Sequence, residues 1–312
     1  LTFYNFHIRS TIISTHISPI GKCNLNCDYC SVSKRNTFES IFLETFNKYI
    51  TDIVELGCKA VIFTGGGEPT LHPDFLQMVH FVESKGLEYA IITNGTNLDL
   101  LSHLMASWIR ISINRKVITN KFLERDYSFY KGCTIGMSLI YADENKNFQP
   151  DELIRLADLF DAKYVRLLPD CALTNNELKY QYDVLYNFCH KLNDKRFFVQ
   201  EKVKKAPSCS ICHQSYFRPY LSEINGGTVF PCDSVPLIDN NGLFDMKYAL
   251  CPADKINDYM SHEIKQPFDA RECTGCVFHK NVDLLDHIFN SDSPFTSIEC
   301  NTDNIIEHIN FV

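Results

Sequence analysis

A regular alternation of strand-like and helix-like stretches over the first two thirds of the chain is what most narrows its possible folds. Residues 12–17 read as a strand. Residues 38–56 carry a helical period and stop at Gly57. Residues 60–64 form a short apolar strand, followed by glycines. Residues 74–84 are helical, with Pro73 near the first turn. The pattern repeats with a strand at 89–93, a helix at 98–107, strands at 109–113 and 134–141, a helix at 150–160, a strand at 164–168 and a helix from 175 to about 192. Six β-α units in sequence predict an α/β fold with a parallel sheet and right-handed crossovers. Six such units can curve into a partial (β/α)6 barrel whose chemistry sits at the carboxyl ends of its strands. After about residue 200 the rhythm breaks, and cysteines, Gly226-Gly227 and prolines dominate. The expected organisation is a barrel over residues 1–195 and a small module with a C-terminal helix over 196–312.

The cysteines are unevenly placed. Fourteen in 312 residues are too few for a disulfide scaffold and many for a cytosolic enzyme. Three fall between Cys23 and Cys30, and nine lie from Cys171 onward, including two CxxC pairs. In a reducing compartment such clusters more often hold metal. Thirty Lys and Arg against 38 Asp and Glu leave a net charge of −8. That balance argues against generic binding to nucleic acid or to an anionic membrane. No run approaches the ~18 apolar residues of a membrane span. Residues 1–9 lack the layout of a secretory signal, so a cytoplasmic location is expected.

Residues 21–30 read Gly-Lys-Cys-Asn-Leu-Asn-Cys-Asp-Tyr-Cys, a CxxxCxxC in the loop after the first strand. Three thiolates this close can converge on one cluster. A four-iron cube takes four ligands, so three cysteines leave one iron open. An open iron can chelate a molecule that carries an amine beside a carboxylate. Spacing alone also admits a zinc site completed by His16, or three unrelated cysteines. With Tyr29 before the third cysteine, and the loop placed after strand one of a six-unit barrel, the pattern resembles the radical S-adenosylmethionine (radical SAM) superfamily over about residues 11–170. The resemblance implies that Cys23, Cys27 and Cys30 hold a 4Fe-4S cluster whose open iron binds the amine and carboxylate of S-adenosylmethionine. One electron then cleaves the sulfonium, and the resulting 5′-deoxyadenosyl radical takes a hydrogen atom from a substrate.

Residues 65–69, Gly-Gly-Gly-Glu-Pro, follow the second strand. Alone this is an ordinary tight turn. Beside the cysteine loop it resembles the family's GGEP motif, carried by Gly66, Gly67, Glu68 and Pro69, which implies contact with the methionyl amine. Asn94 ends strand three, and Ser112 with Asn114 ends strand four. These positions resemble ones that face the ribose and the methionyl carboxylate. Gly136 on strand five, and Arg166 and Leu168 on strand six, would lie near the adenosyl group. For each polar residue taken singly, a strand-end hydrogen bond to the scaffold explains it equally well. Arg166, inside an apolar strand, can instead pair with a buried carboxylate.

Beyond residue 200, Cys212, Gly227, Cys232 and the pair Cys273 and Cys276 follow a spacing similar to the twitch module, the shortened relative of the SPASM extension in radical SAM enzymes. The resemblance implies an auxiliary 4Fe-4S cluster held by Cys212, Cys232, Cys273 and Cys276, with Gly227 turning a hairpin that carries residues 228–230. Rival readings are a four-cysteine zinc site formed by Cys209, Cys212, Cys273 and Cys276, or replacement of one ligand by Cys209 or Cys251.

An auxiliary cluster offers a sink for an electron from a substrate radical, which leads to oxidation or crosslinking. A thiol offers a hydrogen atom, which leads to epimerisation, and Cys171, Cys209, Cys251 and Cys300 are the candidate donors. The expected function is modification of a peptide natural product, with an electron donor such as flavodoxin or ferredoxin as partner. The alternatives are dehydrogenation of a small sugar or aminocyclitol and, in another class, a non-catalytic zinc-binding protein.

Overall fold

Ten strands form one sheet in the order β10-β9-β8-β1-β2-β3-β4-β5-β6-β7. The computed structural model describes residues 12–124, 127, 132–238, 241–263, 268–290, 308, 310 and 311. Strands β1 (Ser14–Ile17), β2 (Ala60–Phe63), β3 (Glu88–Thr93), β4 (Trp108–Ile113), β5 (Thr134–Tyr141), β6 (Tyr164–Pro169) and β7 (Phe197–Val199) run parallel, each beside the next. Helices α1 (Leu43–Glu55), α2 (Phe75–Ser84), α3 (Leu98–Leu101), α4 (Asn120–Leu123), α5 (Pro150–Leu159) and α6 (Asn175–Leu192) supply the crossovers. This is a parallel α/β fold of the partial-barrel kind, as the alternation predicts.

Period two decides the layers. On β4, Ile109, Ile111 and Ile113 join the helix-facing core with Val61, Phe63, Ile91, Met137, Val165 and Leu167. The intervening side chains face the barrel interior, where Ile62, Ala90 and Trp108 pack together. Helix α1 contributes Phe46, Tyr49, Ile50 and Ile53, an i, i+3, i+4, i+7 stripe. The Phe63 ring stacks on Phe46 at 6.0 Å and meets Phe75 edge-on at 5.4 Å. The lower end of the interior meets the last described residues: Phe311 packs edge-on against Trp108 at 5.5 Å, and His308 Nε2 lies 3.0 Å from Thr134 Oγ1.

Two helices are shorter than their sequence period suggests. Helix α1 begins at Leu43 because Phe42 is extended, with φ −68° and ψ 144°. Helix α3 stops at Leu101, and by Ser107 the backbone is already pairing with Tyr89 on the way into β4. Helix α6 spans the expected residues. Thr174 and Glu177 form a capping box at its start, and Asn193 ends it in the left-handed region at φ 48°.

The later segment is continuous with the sheet. Strand β8 (Tyr220–Ser222) lies parallel to β1, pairing Tyr220 with His16 and Leu221 with Ile17. β8 and β9 (Thr228–Phe230) form an antiparallel hairpin, and β10 (Cys251–Pro252) adds to β9. Gly226 at φ 77° and Gly227 at φ 140° turn the hairpin. A Cβ on Gly227 would also lie 3.0 Å from Ala253 Cβ. Among the described residues no helix is long and apolar enough to cross a membrane.

Candidate active site

The cysteine loop and the glycine loop are tied to each other by backbone hydrogen bonds. Gly67 N donates to Ile20 O at 2.8 Å, and Glu68 N donates to Lys22 O at 2.9 Å. A Cβ on Gly67 would stand 2.0 Å from Lys22 O, so only glycine permits this approach. Glu68 caps the short turn Pro69–Leu71, with proline at its first position, and accepts from Thr70 N. Its carboxylate also accepts from Thr70 Oγ1 at 2.8 Å, Thr93 Oγ1 at 2.8 Å and Asn94 N at 2.7 Å. Glu68 is 2% exposed, and burial raises its pKa while these donors oppose the shift. The residue fastens the end of β2 to the end of β3 and thereby sets the floor of the site.

Cys23, Cys27 and Cys30 line one open cavity of about 280 Å³. Tyr29, Arg35, Gly65, Gly66, Gly67, Glu68, Asn94, Ser112 and Cys171 share its wall. Each of the three sulfurs faces a side-chain N–H donor. Asn94 Nδ2 approaches Cys23 Sγ at 3.7 Å, Asn114 Nδ2 approaches Cys27 Sγ at 3.2 Å, and Arg35 Nη1 approaches Cys30 Sγ at 3.3 Å. Asn114 is held by Tyr29 Oη at 2.8 Å and Glu144 Oε1 at 3.0 Å. Arg35 is held by Gly21 O at 2.7 Å and Val32 O at 3.0 Å. Burial pushes the Cys27 thiol up to about 11. A cation at the site would reverse that preference. The donor set suits an iron–sulfur cluster, because thiolate sulfurs in such clusters accept N–H bonds that tune their potential.

The other sequence candidates spread over the barrel. Gly136 lies against Tyr164, whose ring would be 2.1 Å from a Cβ there. Arg166 donates from Nη1 to Gln200 Oε1 at 2.9 Å, so its partner is an amide rather than a carboxylate. Leu168 is buried at the end of β6, paired with Ile140 of the cavity wall. His16 does not line the cysteine cavity; its Nδ1 faces Asp233 Oδ2 at 3.2 Å. Of the candidate hydrogen donors, Cys171 reaches the cavity, and burial raises its pKa. Cys209 packs in a small apolar cluster with Cys212, Ala270 and Val282. Cys251 packs against the main core. Cys300 lies outside the described residues.

Arg35 and Glu223 carry no motif signal. Glu223, just past β8, is 2% exposed, and its Oε1 would stand 2.3 Å from a Cβ on Gly66. Gly66 N donates to Ser18 Oγ at 2.6 Å, and Ser18 in turn engages Glu223. The later segment therefore buttresses the glycine loop from behind.

A second cavity, of about 20 Å³, is lined by Cys212, Cys232, Cys273 and Cys276 together. The rest of its wall is largely apolar and includes Pro207, Pro231, Phe268, Ala270 and Phe278. Cys212 N donates to Phe268 O at 3.0 Å and Ala270 N donates to Ser210 O at 3.0 Å, which draws the two distant segments side by side. Burial raises the pKa of Cys212, to about 12, and those of Cys232 and Cys276. Among the described residues no three His, Cys, Asp or Glu side chains converge on a single-ion position. The four thiols instead line one hollow between these two segments.

Residues 17–126 match the model of the Radical SAM superfamily. This segment is a radical SAM domain. Over 108 residues the chain is 31% identical to the S-adenosylmethionine-dependent nucleotide dehydratase of Thermoplasmatales archaeon (strain ISO4-H5), a match that takes in 32% of this chain and 37% of that protein. The chain thus spans little more than a third of that relative's length. Solved structures extend the likeness beyond the radical SAM domain. SuiB of Streptococcus suis, bound to precursor peptide SuiA, aligns with a TM-score of 0.55 at 14% identity over 77% of this chain and 65% of its own. Native anSMEcpe with bound AdoMet and Cp18Cys peptide aligns with a TM-score of 0.52 at 16% identity over 80% of each chain. At these identities the likeness is one of fold.

Proposed function

We propose that the chain is a radical SAM enzyme that abstracts a hydrogen atom from its substrate at the cavity lined by Cys23, Cys27 and Cys30. The observation that carries this reading is the meeting of three thiols, each facing its own N–H donor, with the glycine loop and the ends of β3 and β4 in one cavity. A 4Fe-4S cluster with S-adenosylmethionine bound there supplies a 5′-deoxyadenosyl radical on one-electron reduction. Asn94, Asn114 and Arg35 would tune that cluster through its sulfurs. Glu68 would hold the β2 and β3 ends in register beneath the methionyl group.

Cys212, Cys232, Cys273 and Cys276 would hold an auxiliary 4Fe-4S cluster, supported by the hollow that they line. Cys171 is our candidate for returning a hydrogen atom. Its S–H bond breaks as the substrate C–H bond forms, and the sulfur radical left behind takes one electron from a flavodoxin- or ferredoxin-type donor and one proton from solvent. Burial favours the thiol form that such a donor needs.

For the substrate, a peptide residue is the first reading, to be oxidised, crosslinked or epimerised. The same fold holds peptides in SuiB and anSMEcpe, so a barrel of this build admits one. A small molecule is the second reading, supported by the name of the nucleotide-acting relative. A zinc site at the cysteine loop completed by His16 is disfavoured, because His16 faces Asp233 away from the cysteine cavity.

The test is anaerobic reconstitution followed by iron and sulfide analysis and reduction with dithionite in the presence of S-adenosylmethionine. The expected result is iron with matching sulfide and formation of 5′-deoxyadenosine, abolished in Cys27→Ala. Deoxyadenosine from Cys27→Ala at the wild-type rate would overturn the site.

A further inference from the structure

The interior of the barrel carries a surplus of enclosed positive charge. Arg110 on β4, Arg166 on β6, Lys202 after β7 and Arg218 before β8 lie near enough to influence one another across the interior. Asp233 is the carboxylate that they share. Its Oδ1 lies 4.0 Å from Arg218 Nη2 and its Oδ2 lies 3.2 Å from His16 Nδ1. His16 adds no charge at neutral pH, because burial and Arg218 push it down to about 4. Four cations against one anion leave a surplus of three.

The donors are also underused. Arg110 Nε and Arg166 Nε are buried with no hydrogen-bond partner. Arg110 bonds Tyr164 through its other nitrogens and lies over the Trp108 ring, with its guanidinium carbon 5.3 Å from the ring centre. Lys202 and Arg218 both sit over the Phe278 ring, at 4.8 and 5.1 Å. Burial lowers the pKa of Arg166 to about 9. An arginine stays charged at neutral pH even so, and an enclosed charge without a counter-ion is strongly disfavoured.

The place of this group is as telling as its charge. Arg166 and Lys202 both act on Cys171, which lines the cysteine cavity. Phe278, beneath Lys202 and Arg218, lines the second thiol cavity. Lys202 therefore neighbours a wall residue of each cavity, Cys171 of one and Phe278 of the other. Lys202 is felt by Cys276, whereas the Cys232 thiol is influenced by Asp233, Cys212 and Cys273. Charge on an auxiliary cluster would offset part of this surplus at Lys202, while Nε of Arg110 and of Arg166 still has no acceptor.

We propose that Arg110, Arg166, Lys202 and Arg218 bind a polyanionic head group of the substrate, two or three negative charges on phosphate or carboxylate oxygens, inside the barrel beside the two thiol-lined cavities. Planar guanidinium groups suit such oxygens because they can donate two parallel N–H bonds. The proposal deepens the radical SAM reading by naming the chemistry that anchors the substrate, and anion binding itself needs no turnover.

The test uses the cluster-loaded protein, kept anaerobic and saturated with S-adenosylmethionine. Inorganic pyrophosphate and citrate are titrated separately by calorimetry, and the emission of Trp108, the one tryptophan of the chain, is followed in parallel. Saturable binding of either anion, weakened at least tenfold by Arg110→Gln and by Arg166→Gln but not by the surface change Lys163→Gln, supports the proposal. Pyrophosphate binding alone would mark a phosphorylated substrate, and citrate binding alone a polycarboxylate. Should the arginine variants misfold, a saturable change in Trp108 emission on adding either anion to the wild-type protein supports it still. No heat and no emission change with either anion overturns it, as does undiminished affinity in the folded Arg110→Gln, Arg166→Gln double variant. Deoxyadenosine formed by protein that binds neither anion sinks this inference alone. Anion binding without any deoxyadenosine sinks the enzymatic reading alone.

Discussion

Asn114 Nδ2 lies 3.2 Å from Cys27 Sγ, although 87 residues separate the two in sequence. The contact exists because β4 ends beside the loop that follows β1, and because Tyr29 and Glu144 fix the amide from two sides. Removing an N–H donor from a cluster sulfur leaves more negative charge unscreened there and disfavours reduction. Asn114→Leu is therefore expected to load iron and sulfide normally and to shift the cluster potential to more negative values, read by an anaerobic redox titration with electron paramagnetic resonance. An unchanged potential would show that the amide does not act on the cluster.

Gly67 and Gly86 make a matched pair of alanine substitutions. A Cβ at Gly67 would overlap Lys22 O at 2.0 Å, whereas one at Gly86 meets nothing within 4 Å but sits at φ 71°. Gly86→Ala should cost about 1–2 kcal/mol, the left-handed penalty, and leave S-adenosylmethionine affinity alone. Gly67→Ala must push the cysteine loop off the glycine loop, at about 1–3 kcal/mol, and should weaken S-adenosylmethionine binding as well. Thermal unfolding and a binding titration of the two variants separate the effects. Equal S-adenosylmethionine affinity in both would mean that the loop contact is unimportant to the site.

Cys232 shares its cavity with Cys212, Cys273 and Cys276. Cys232→Ala should remove the spectral signature of one of two clusters and raise the ratio of deoxyadenosine to product. Mössbauer spectra before and after substitution check the first part. Identical spectra would remove Cys232 from the ligand set.

Cys171 is predicted to be a slow but accessible thiol. Burial raises its pKa above the ordinary thiol value of 9.0. Alkylation by iodoacetamide should then climb by about tenfold per pH unit through pH 9, since the thiolate is the reacting form. S-adenosylmethionine should slow it, because the thiol and the nucleotide would share one cavity. Peptide mass spectrometry of the cluster-loaded protein reads the rate. Labelling at one rate with and without S-adenosylmethionine would place Cys171 outside the nucleotide site.

Much of this molecule could be read from local pattern. Helix α6 was legible from Asn175 to about Leu192, and the structure caps it with Thr174 and Glu177 and ends it at a left-handed Asn193. Helix α3 was not, because residues 102–107 keep an apolar rhythm that the chain spends on reaching β4. The CxxxCxxC and Gly-Gly-Gly-Glu-Pro segments stood out because each packs its chemistry into a few consecutive residues. Arg35 and Glu223 gave no such signal; one reaches a sulfur and the other backs a glycine only once the chain has folded.

By itself the sequence determined the parallel α/β build, the order of its units and the cysteines open to metal. All of these depend on residue type at short separation, where hydrophobic period, capping and thiol spacing act. Tertiary structure alone decided which groups meet across the barrel. It set Asn94, Asn114 and Arg35 on three sulfurs, turned His16 toward Asp233, and gathered Arg110, Arg166, Lys202 and Arg218 from four separate segments around that one carboxylate. The reason is that strand register and loop docking fix distances between residues a hundred positions apart, and charge and hydrogen bonding respond to those distances rather than to order along the chain.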